Sequence, residues 1–480
     1  MRNFSFKKFG LLLLFSSLLV ISSCEENNIN NKPQGEYNRI NDWIQEWMDV
    51  VYFWNTRMPT KTDKTLFPAD YFKSLLYKTE DRFSYIAEDY AQLSDQLSGV
   101  QMEAGYDFSL LRADTVSENV VGIINYIKPN SPASLTDLRR GDVFYTVNNK
   151  QLTLSNYQQL LNEMSALHVL GVFRNGALQP ISLAVTRYEE NPVLLDSIYE
   201  LSGKKIAYLI FNFFSTDKGD NSYIYLKELN EIFGKYQHTH VEELILDLRY
   251  NGGGEVTVAT ALASMISNCT SSDVFLIDRY NSIVDAEFKK AYGNDYNKTF
   301  FVDSLNVRDK NNKTIEQIPV NKLTGLRRLY VLTSYRTASA SELIINGLKP
   351  YMEVVLVGEK TYGKNVGMWF IYEEDTEKQK DNRWGMLPIV VRLSNSDNQS
   401  DYTHGFGVDV EVNEYVAPFL PLGNTRELLL EAALAHIGVQ TANSVRNAEK
   451  RFDSQPFTSS IDRTPVRENT IIKNKLYPNK

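Results

Sequence analysis

The chain has 480 residues, 43% of them hydrophobic and 23% charged, with a formal net charge of −8. That balance suits a folded chain of roughly three domains and excludes a disordered or fibrous protein. The acidic charge argues against nucleic acid as a partner, and two cysteines, Cys24 and Cys269, cannot make a disulfide framework.

The first element is a leader. Arg2, Lys7 and Lys8 precede an apolar run from Phe9 to Ile21, which is too short for a membrane span and reads as a signal peptide over 1–23. Ile21-Ser-Ser-Cys24 resembles a bacterial lipobox, which implies cleavage before Cys24 and acylation of its thiol. Ordinary secretion with a stray cysteine is the alternative. Loss of the leader moves the net charge from −8 to −11. Residues 24–36 are polar and Asn-rich, as expected of a flexible tether, and the acidic pair after Cys24 resembles a cell-surface export signal of some Gram-negative bacteria.

From 37 to 94 the pattern is helical: Trp43, Ile44, Trp47, Met48 and Val51 share one face, and Phe72, Leu75 and Leu76 another. Residues 95–187 turn to short alternating strands. Within them Asn130-Ser-Pro-Ala133 and Leu138-Arg-Arg-Gly-Asp-Val143 resemble a PDZ module, in which a turn precedes a short helix and a glycine starts the next strand. Arg140-Gly-Asp142 matches an adhesion tripeptide only by coincidence.

A third region runs from 191 to 439. It opens with a buried strand over Lys205–Phe214 and a crossover helix over Asp217–Tyr236. Glu243–Leu248 is a second buried strand, followed at once by Arg249, Tyr250, Asn251 and the glycines Gly252, Gly253 and Gly254. Consecutive glycines permit backbone N–H groups to be aimed at an anion. A phosphate loop is excluded because Glu255 and Val256 stand where Gly-Lys-Ser/Thr would be needed. After an insertion over 278–323, which could form a lid or rim, Leu329–Leu332 and Val354–Val357 read as buried parallel strands joined by a helix from Ala340 to Leu348, stopped at Pro350. This βαβ unit puts Ser339 and Lys364 past the C-terminal ends of neighbouring strands, the edge at which open α/β sheets bind ligands. Ser339-Ala-Ser-Glu342 also matches S-x-x-E, a capping box with no chemistry. The tail, 440–480, is polar and is expected to be disordered.

DLRYNGGG, TASASE and GEKTYGK, in that order, resemble the carboxyl-terminal processing (tail-specific) peptidases, which use a Ser/Lys dyad. The resemblance implies a multi-domain α/β protein: a crotonase-like α/β peptidase core, a PDZ domain over 95–187 and a small N-terminal helical domain. It implies Ser339 as nucleophile and Lys364 as base, with Glu342 and Thr361 in support, the Thr361 hydroxyl being able to orient the lysine ammonium. A serine hydroxyl needs a base, and a lysine can serve only if burial lowers its pKa. Backbone N–H groups of Ala340 and of Gly252 or Gly253 could then form an oxyanion hole. In the PDZ-like region Gly105, Tyr106, Asp107 and Phe108 resemble the carboxylate-binding loop, although such modules also serve as spacers.

The implied partners are polypeptides, reached through free C-termini, and a membrane, reached through the lipid; the implied place is outside the cytoplasm, on the periplasmic side of the outer membrane or the cell surface. No cofactor is called for and no metal-ligand spacing occurs. Of the five histidines only His404 rivals Lys364 as base. Asn365 and Met368 stand where the family usually has Gly and Gln, so a lysine-orienting amide is missing unless Asn365 replaces it. An endopeptidase is expected first. A decayed peptide-binding scaffold is the second reading, and an esterase or acyl transferase the third.

Overall fold

The computed structural model describes residues 34–309, 313–416, 418–439, 455–460 and 470–472. The signal peptide, Cys24 and most of the tether lie outside the described residues.

Helices α1 (Gln34–Val51) and α2 (Pro68–Leu75) carry the expected stripes: Ile44, Met48, Val51, Phe72 and Leu75 are buried. They have no core of their own. Their apolar faces join the same cluster as the large α/β body, and Tyr85–Ala87 pairs with Gly385–Leu387 of that body. The N-terminal helices are therefore part of the wall of that body rather than a free-standing domain.

The second unit has its own core, including Phe108, Leu110, Phe144 and Leu170. Its antiparallel sheet contains β1 (Tyr106–Arg112), β2 (Val120–Ile127), β3 (Val143–Val147), β4 (His168–Arg174) and β5 (Ala177–Leu183), in the order β1-β2-β3-β4-β5, with helix α3 (Tyr157–Glu163) between β3 and β4. Val100–Glu103 pairs with Thr186–Glu189, so the chain enters and leaves this unit as one ribbon. Leu111, Val121, Ile123 and Val143 pack on Tyr415 and Phe419 of the large body. Arg140 is buried in that seam, where it donates to Tyr250 Oη at 2.7 Å and pairs with Glu414 at 2.5 Å. The R-G-D tripeptide is thus an internal strut and not a displayed motif.

The large body has a central sheet formed by β6 (Val193–Leu201), β7 (Lys204–Phe211), β8 (Glu243–Asp247), β10 (Arg328–Thr333), β11 (Glu353–Gly358) and β14 (Val410–Glu411), in that spatial order. Only β6 runs antiparallel. Alternation sorts the strands' side chains to opposite faces. Leu244, Leu246, Leu329 and Val331 face helices α4 (Ile224–Thr239), α5 (Val256–Ile266) and α6 (Ala340–Leu348), while Ile245, Tyr330 and Leu332 face α7 (Leu428–Ile437). Each fully buried Leu or Ile on these faces contributes about 1.5–3 kcal/mol. A second sheet runs β9 (Gly253–Glu255), β16 (Thr470–Ile472), β12 (Val366–Met368), β13 (Ile389–Ser394), Val274–Tyr280, Lys298–Phe300.

Two expectations fail here. α4 begins at Ile224 rather than Asp217, because the Asp217 carboxylate accepts from the N–H groups of Gly219, Asp220 and Tyr223 and holds 217–223 as a turn. The tail is also ordered in part: β15 (Thr458–Ser459) pairs with β1, and β16 pairs with β9 and β12. Main-chain pairing supplies the ordering energy that a polar composition hides.

The insertion forms a helix over Ser282–Tyr292 and a hairpin of Ser304–Arg308 with Thr314–Pro319. Asn281 ties it to the end of α1 through the carbonyls of Val50 and Tyr52.

Candidate active site

Ser339 stands between β10 and α6 with φ +68° and ψ −116°, a conformation that costs a non-glycine residue about 1–3 kcal/mol and persists only where surroundings enforce it. The enforcement comes from the glycine loop. Ser334 Oγ donates to Arg249 O at 2.5 Å, Thr337 Oγ1 to Leu248 O at 2.8 Å, and Ala338 N to Asn251 O at 3.2 Å. Ser339 N–H donates to Glu342 Oε2 at 2.9 Å, as in a capping box. Ser339 Oγ, however, is buried and makes no hydrogen bond among the described residues.

Lys364 reaches the same place from the loop after β11. Gly363 has φ +97°, and a Cβ there would lie 2.5 Å from Gly405 N and Thr403 O, so this crossing needs glycine. Glu342 ties the two loops together. Besides Ser339 N–H it accepts from Thr361 Oγ1 at 2.6 Å, Gly363 N at 2.7 Å and Lys364 N at 2.8 Å. Burial pushes the Glu342 carboxyl up to about 7, against the lowering effect of these bonds. Burial likewise lowers the Lys364 ammonium to about 7, although the charges of Asp81 and Glu342 favour protonation. Its Nζ lies 4.8 Å from the centre of the Phe83 ring and 3.7 Å from Met368 Sδ.

The glycine loop completes the arrangement. Gly253 has φ +114° and donates its N–H to Asn251 Oδ1 at 2.8 Å, so that donor is already engaged. The N–H groups of Gly252 and of Ala340, at the start of α6, make no hydrogen bond among the described residues.

Residues 205–379 match the profile of Peptidase family S41, and residues 39–85 that of the Peptidase S41 N-terminal domain. Residues 205–379 are therefore similar to the peptidase domain of that family. A crystal structure of a Bacteroides fragilis protein assigned to the S41 proteases superposes with a TM-score of 0.64 at 26% identity, covering 82% of this chain and 97% of that one. A probable CtpA-like serine protease of Staphylococcus epidermidis is 21% identical over 414 residues, 84% of this chain and 71% of that protein. The chloroplastic C-terminal processing peptidase of Tetradesmus obliquus is 25% identical over 307 residues, 60% of this chain and 52% of that protein. By their names these relatives are a serine protease and a C-terminal processing peptidase.

The S41 domain departs from the sequence reading in three side chains. Thr361 gives its hydroxyl to Glu342 and not to the lysine ammonium. Asn365 donates to Ser400 O at 2.6 Å, so it does not take the place of the missing amide; Met368 is the residue that meets Lys364. His404 is exposed. Phe83 carried no signal in the sequence, since an aromatic residue of a helical segment gives no hint that it covers a lysine nearly 300 positions away.

Gly105 directly precedes β1, and Tyr106, Asp107 and Phe108, expected as a loop, are the first residues of that strand; Gly105, Tyr106 and Asp107 line a cavity of about 360 Å³ together with Tyr126, His168, Phe213 and Tyr250. Gly105 has φ +83°, with Ser131 packed where a side chain would go. Asp107 is buried and ionised: burial works against it, but the Arg336 guanidinium holds its carboxyl below the usual range, bonding both oxygens at 2.8 and 2.9 Å. Arg336 stands three residues before Ser339. The start of β1 and the serine are therefore linked by one ion pair that sequence reading missed.

Proposed function

We propose that this S41 peptidase is an endopeptidase of the C-terminal processing type, cutting unfolded or C-terminally exposed polypeptides with Ser339 as nucleophile and Lys364 as base. The observation that carries the reading is that one carboxylate, Glu342, fixes the backbones of both residues while burial lowers Lys364 to about 7. Neutral Lys364 takes the proton of Ser339 as Oγ attacks the scissile carbonyl. The N–H groups of Gly252 and Ala340 receive the oxyanion, an effect of about 3–4 kcal/mol per donor. The ammonium then protonates the leaving amine, the C–N bond breaks, and an acyl-enzyme remains. Water, deprotonated by the same lysine, releases the acid. Purified protein incubated with an unstructured protein should yield fragments, and Ser339→Ala should not. Binding without cleavage by the unaltered chain would instead favour the scaffold reading.

The second unit serves, in this reading, as a PDZ module that presents substrate C-termini to the S41 domain, supported by the cavity beside Gly105–Phe108. Amidating a substrate's C-terminus should raise KM and leave kcat little changed, because the contact is equal in ground and transition states. Equal kcat/KM for acid and amide would leave the module as a steric gate. The lipobox supports a protein held at Cys24 on a bacterial membrane, on the periplasmic side of the outer membrane or at the cell surface. Cys24→Ser should release it to the soluble fraction, and unchanged membrane fractionation would contradict the anchor.

A further inference from the structure

We propose that the chain's own C-terminal segment is a standing ligand of both the β1 edge and the cleft between β9 and β12, so that polypeptide substrates must displace it. The proposal rests on the peptidase reading for its consequence, but its geometry stands alone.

Residues Phe457 to Ser460 lie on β1 as an added antiparallel strand, with Thr458 opposite Leu110 and Ser459 opposite Ser109. Phe457 N–H donates to Leu110 O at 3.0 Å, and Phe108 N–H donates to Ser460 Oγ at 3.3 Å. The Phe457 ring meets Tyr157 of α3 edge-on, with centroids 5.4 Å apart. A strand that pairs with a sheet edge and drops a side chain against the neighbouring helix is the way extended peptides dock by strand addition. Without β15 this edge of the sheet would expose unpaired backbone groups. Ser460 Oγ also donates to Asp107 Oδ2 at 2.6 Å, beside the Arg336 guanidinium that leads to Ser339.

The second contact is in the S41 domain. β16 runs parallel to β9, pairing Thr470 with Gly253, Ile471 with Gly254 and Ile472 with Glu255, and Ile472 also pairs with Met368 of β12. β9 directly follows Gly252, and β12 begins two residues after Lys364. The tail thus joins the strand beside the glycine loop to the strand beside the lysine. In the peptidase reading, a polypeptide presenting a carbonyl to Ser339 competes with the tail for the place beside these two strands.

The link between the two contacts, residues 461–469, lies outside the described residues; ten residue steps, from Ser460 to Thr470, span at most about 33–36 Å. A tethered ligand faces its site at an effective concentration of about millimolar, so even a weak segment competes well with free peptide. Removing its anchors therefore frees both places.

The test reads binding in the Ser339→Ala background, so that an inactive peptidase would not mask the result. The probe is a fluorescein-labelled synthetic peptide copying residues 455–472, followed by anisotropy. The chain ending at Lys450, and the full-length Phe457→Ala/Ser460→Ala variant, should each bind it at least tenfold more tightly than the unaltered tail. Equal affinities for the unaltered chain and the full-length double variant would overturn the proposal, whatever the truncated chain does. Affinity that weakens with rising protein concentration would place a second copy's tail in the site and overturn the intramolecular assignment. Intact-mass analysis gives the last outcome: a tail lost from the Ser339 protein but kept in Ser339→Ala is a substrate rather than a standing ligand.

Discussion

Arg249 and Lys364 are both fully buried cations of the large body, and they are treated in opposite ways. Arg249, at the end of β8, is matched on every side: it pairs with Asp247 at 2.8 Å, Glu427 at 2.7 Å and Glu414 at 3.0 Å, and its guanidinium is held charged well above its ordinary range by those carboxylates despite burial. Lys364, at the end of a loop, meets a phenyl face and a thioether, and burial outweighs the attraction of Asp81 and Glu342. A buried charge with carboxylates around it fixes structure; a buried amine in softer company becomes a base. The sequence places both groups just past strand ends, so position alone does not separate the two roles.

The largest effect expected from breaking this contrast is on the chemistry. Ser339→Ala should lower kcat by at least about 10⁴-fold, as removal of a nucleophile does. Lys364→Arg should lose nearly as much, because a guanidinium keeps its proton. Measured cleavage rates within tenfold of the unaltered enzyme for the arginine variant would return the base to another residue, with His404 the first to examine.

Glu342→Gln comes next. An amide cannot accept all four bonds that Glu342 receives, and hydrogen bonds to a charged group are worth about 1.5–3 kcal/mol each. A loss of about 10–100-fold in kcat with little change in KM would mark Glu342 as a positioning residue, and a full rescue of the rate at low pH would contradict that role.

Stability should split the two cations in the opposite direction. Arg249→Met leaves Asp247 without its cation and Glu414 and Glu427 with Arg140 alone, and should cost about 3–5 kcal/mol. Lys364→Met should raise the Tm although it abolishes activity. The sign follows from linkage: the folded value, about 7, lies below the ordinary lysine value near 10.4, so the unfolded chain binds more protons between them. The unaltered protein therefore loses stability as pH falls from about 10 to 7, and the gain in Lys364→Met should be greatest at and below pH 7 and vanish above about pH 10. Thermal melts at pH 6, 8 and 10 read it, and a gain independent of pH would contradict the burial account.

The smallest effect belongs to Phe83→Ala. Opening that face to water should move the pH midpoint of kcat upwards by less than about one unit, since desolvation is the dominant cause of the shift. A midpoint that stays fixed would assign the desolvation to Met368 and the surrounding backbone.

Much of this was legible in the sequence because its causes are local. β10, α6 and β11 appear as an apolar run, a helical stripe bounded by Ser339 and Pro350, and another apolar run, and the structure gives α6 the residues Ala340–Leu348 read from periodicity. Glu342 as the serine's partner follows from i,i+3 spacing. What stayed hidden depends on contacts between distant segments. Phe83 over Lys364, Arg336 on Asp107 and the tail strands on β1 and β9 join residues hundreds of positions apart, and neither composition nor spacing encodes such pairs. Polar composition in the tail even pointed the wrong way, because a strand can be held by its backbone alone.

The lysine itself offers the most direct test. Protein carrying ¹³C at the lysine ε-carbon, with the Lys364 signal assigned by its loss in Lys364→Arg, can be titrated by NMR in the Ser339→Ala background, free of turnover. The account predicts a midpoint close to 7 for Lys364, well below the ordinary lysine value near 10.4. A Lys364 midpoint near 10.4 would mean that the amine is charged at neutral pH, and the proposed dyad would have no base.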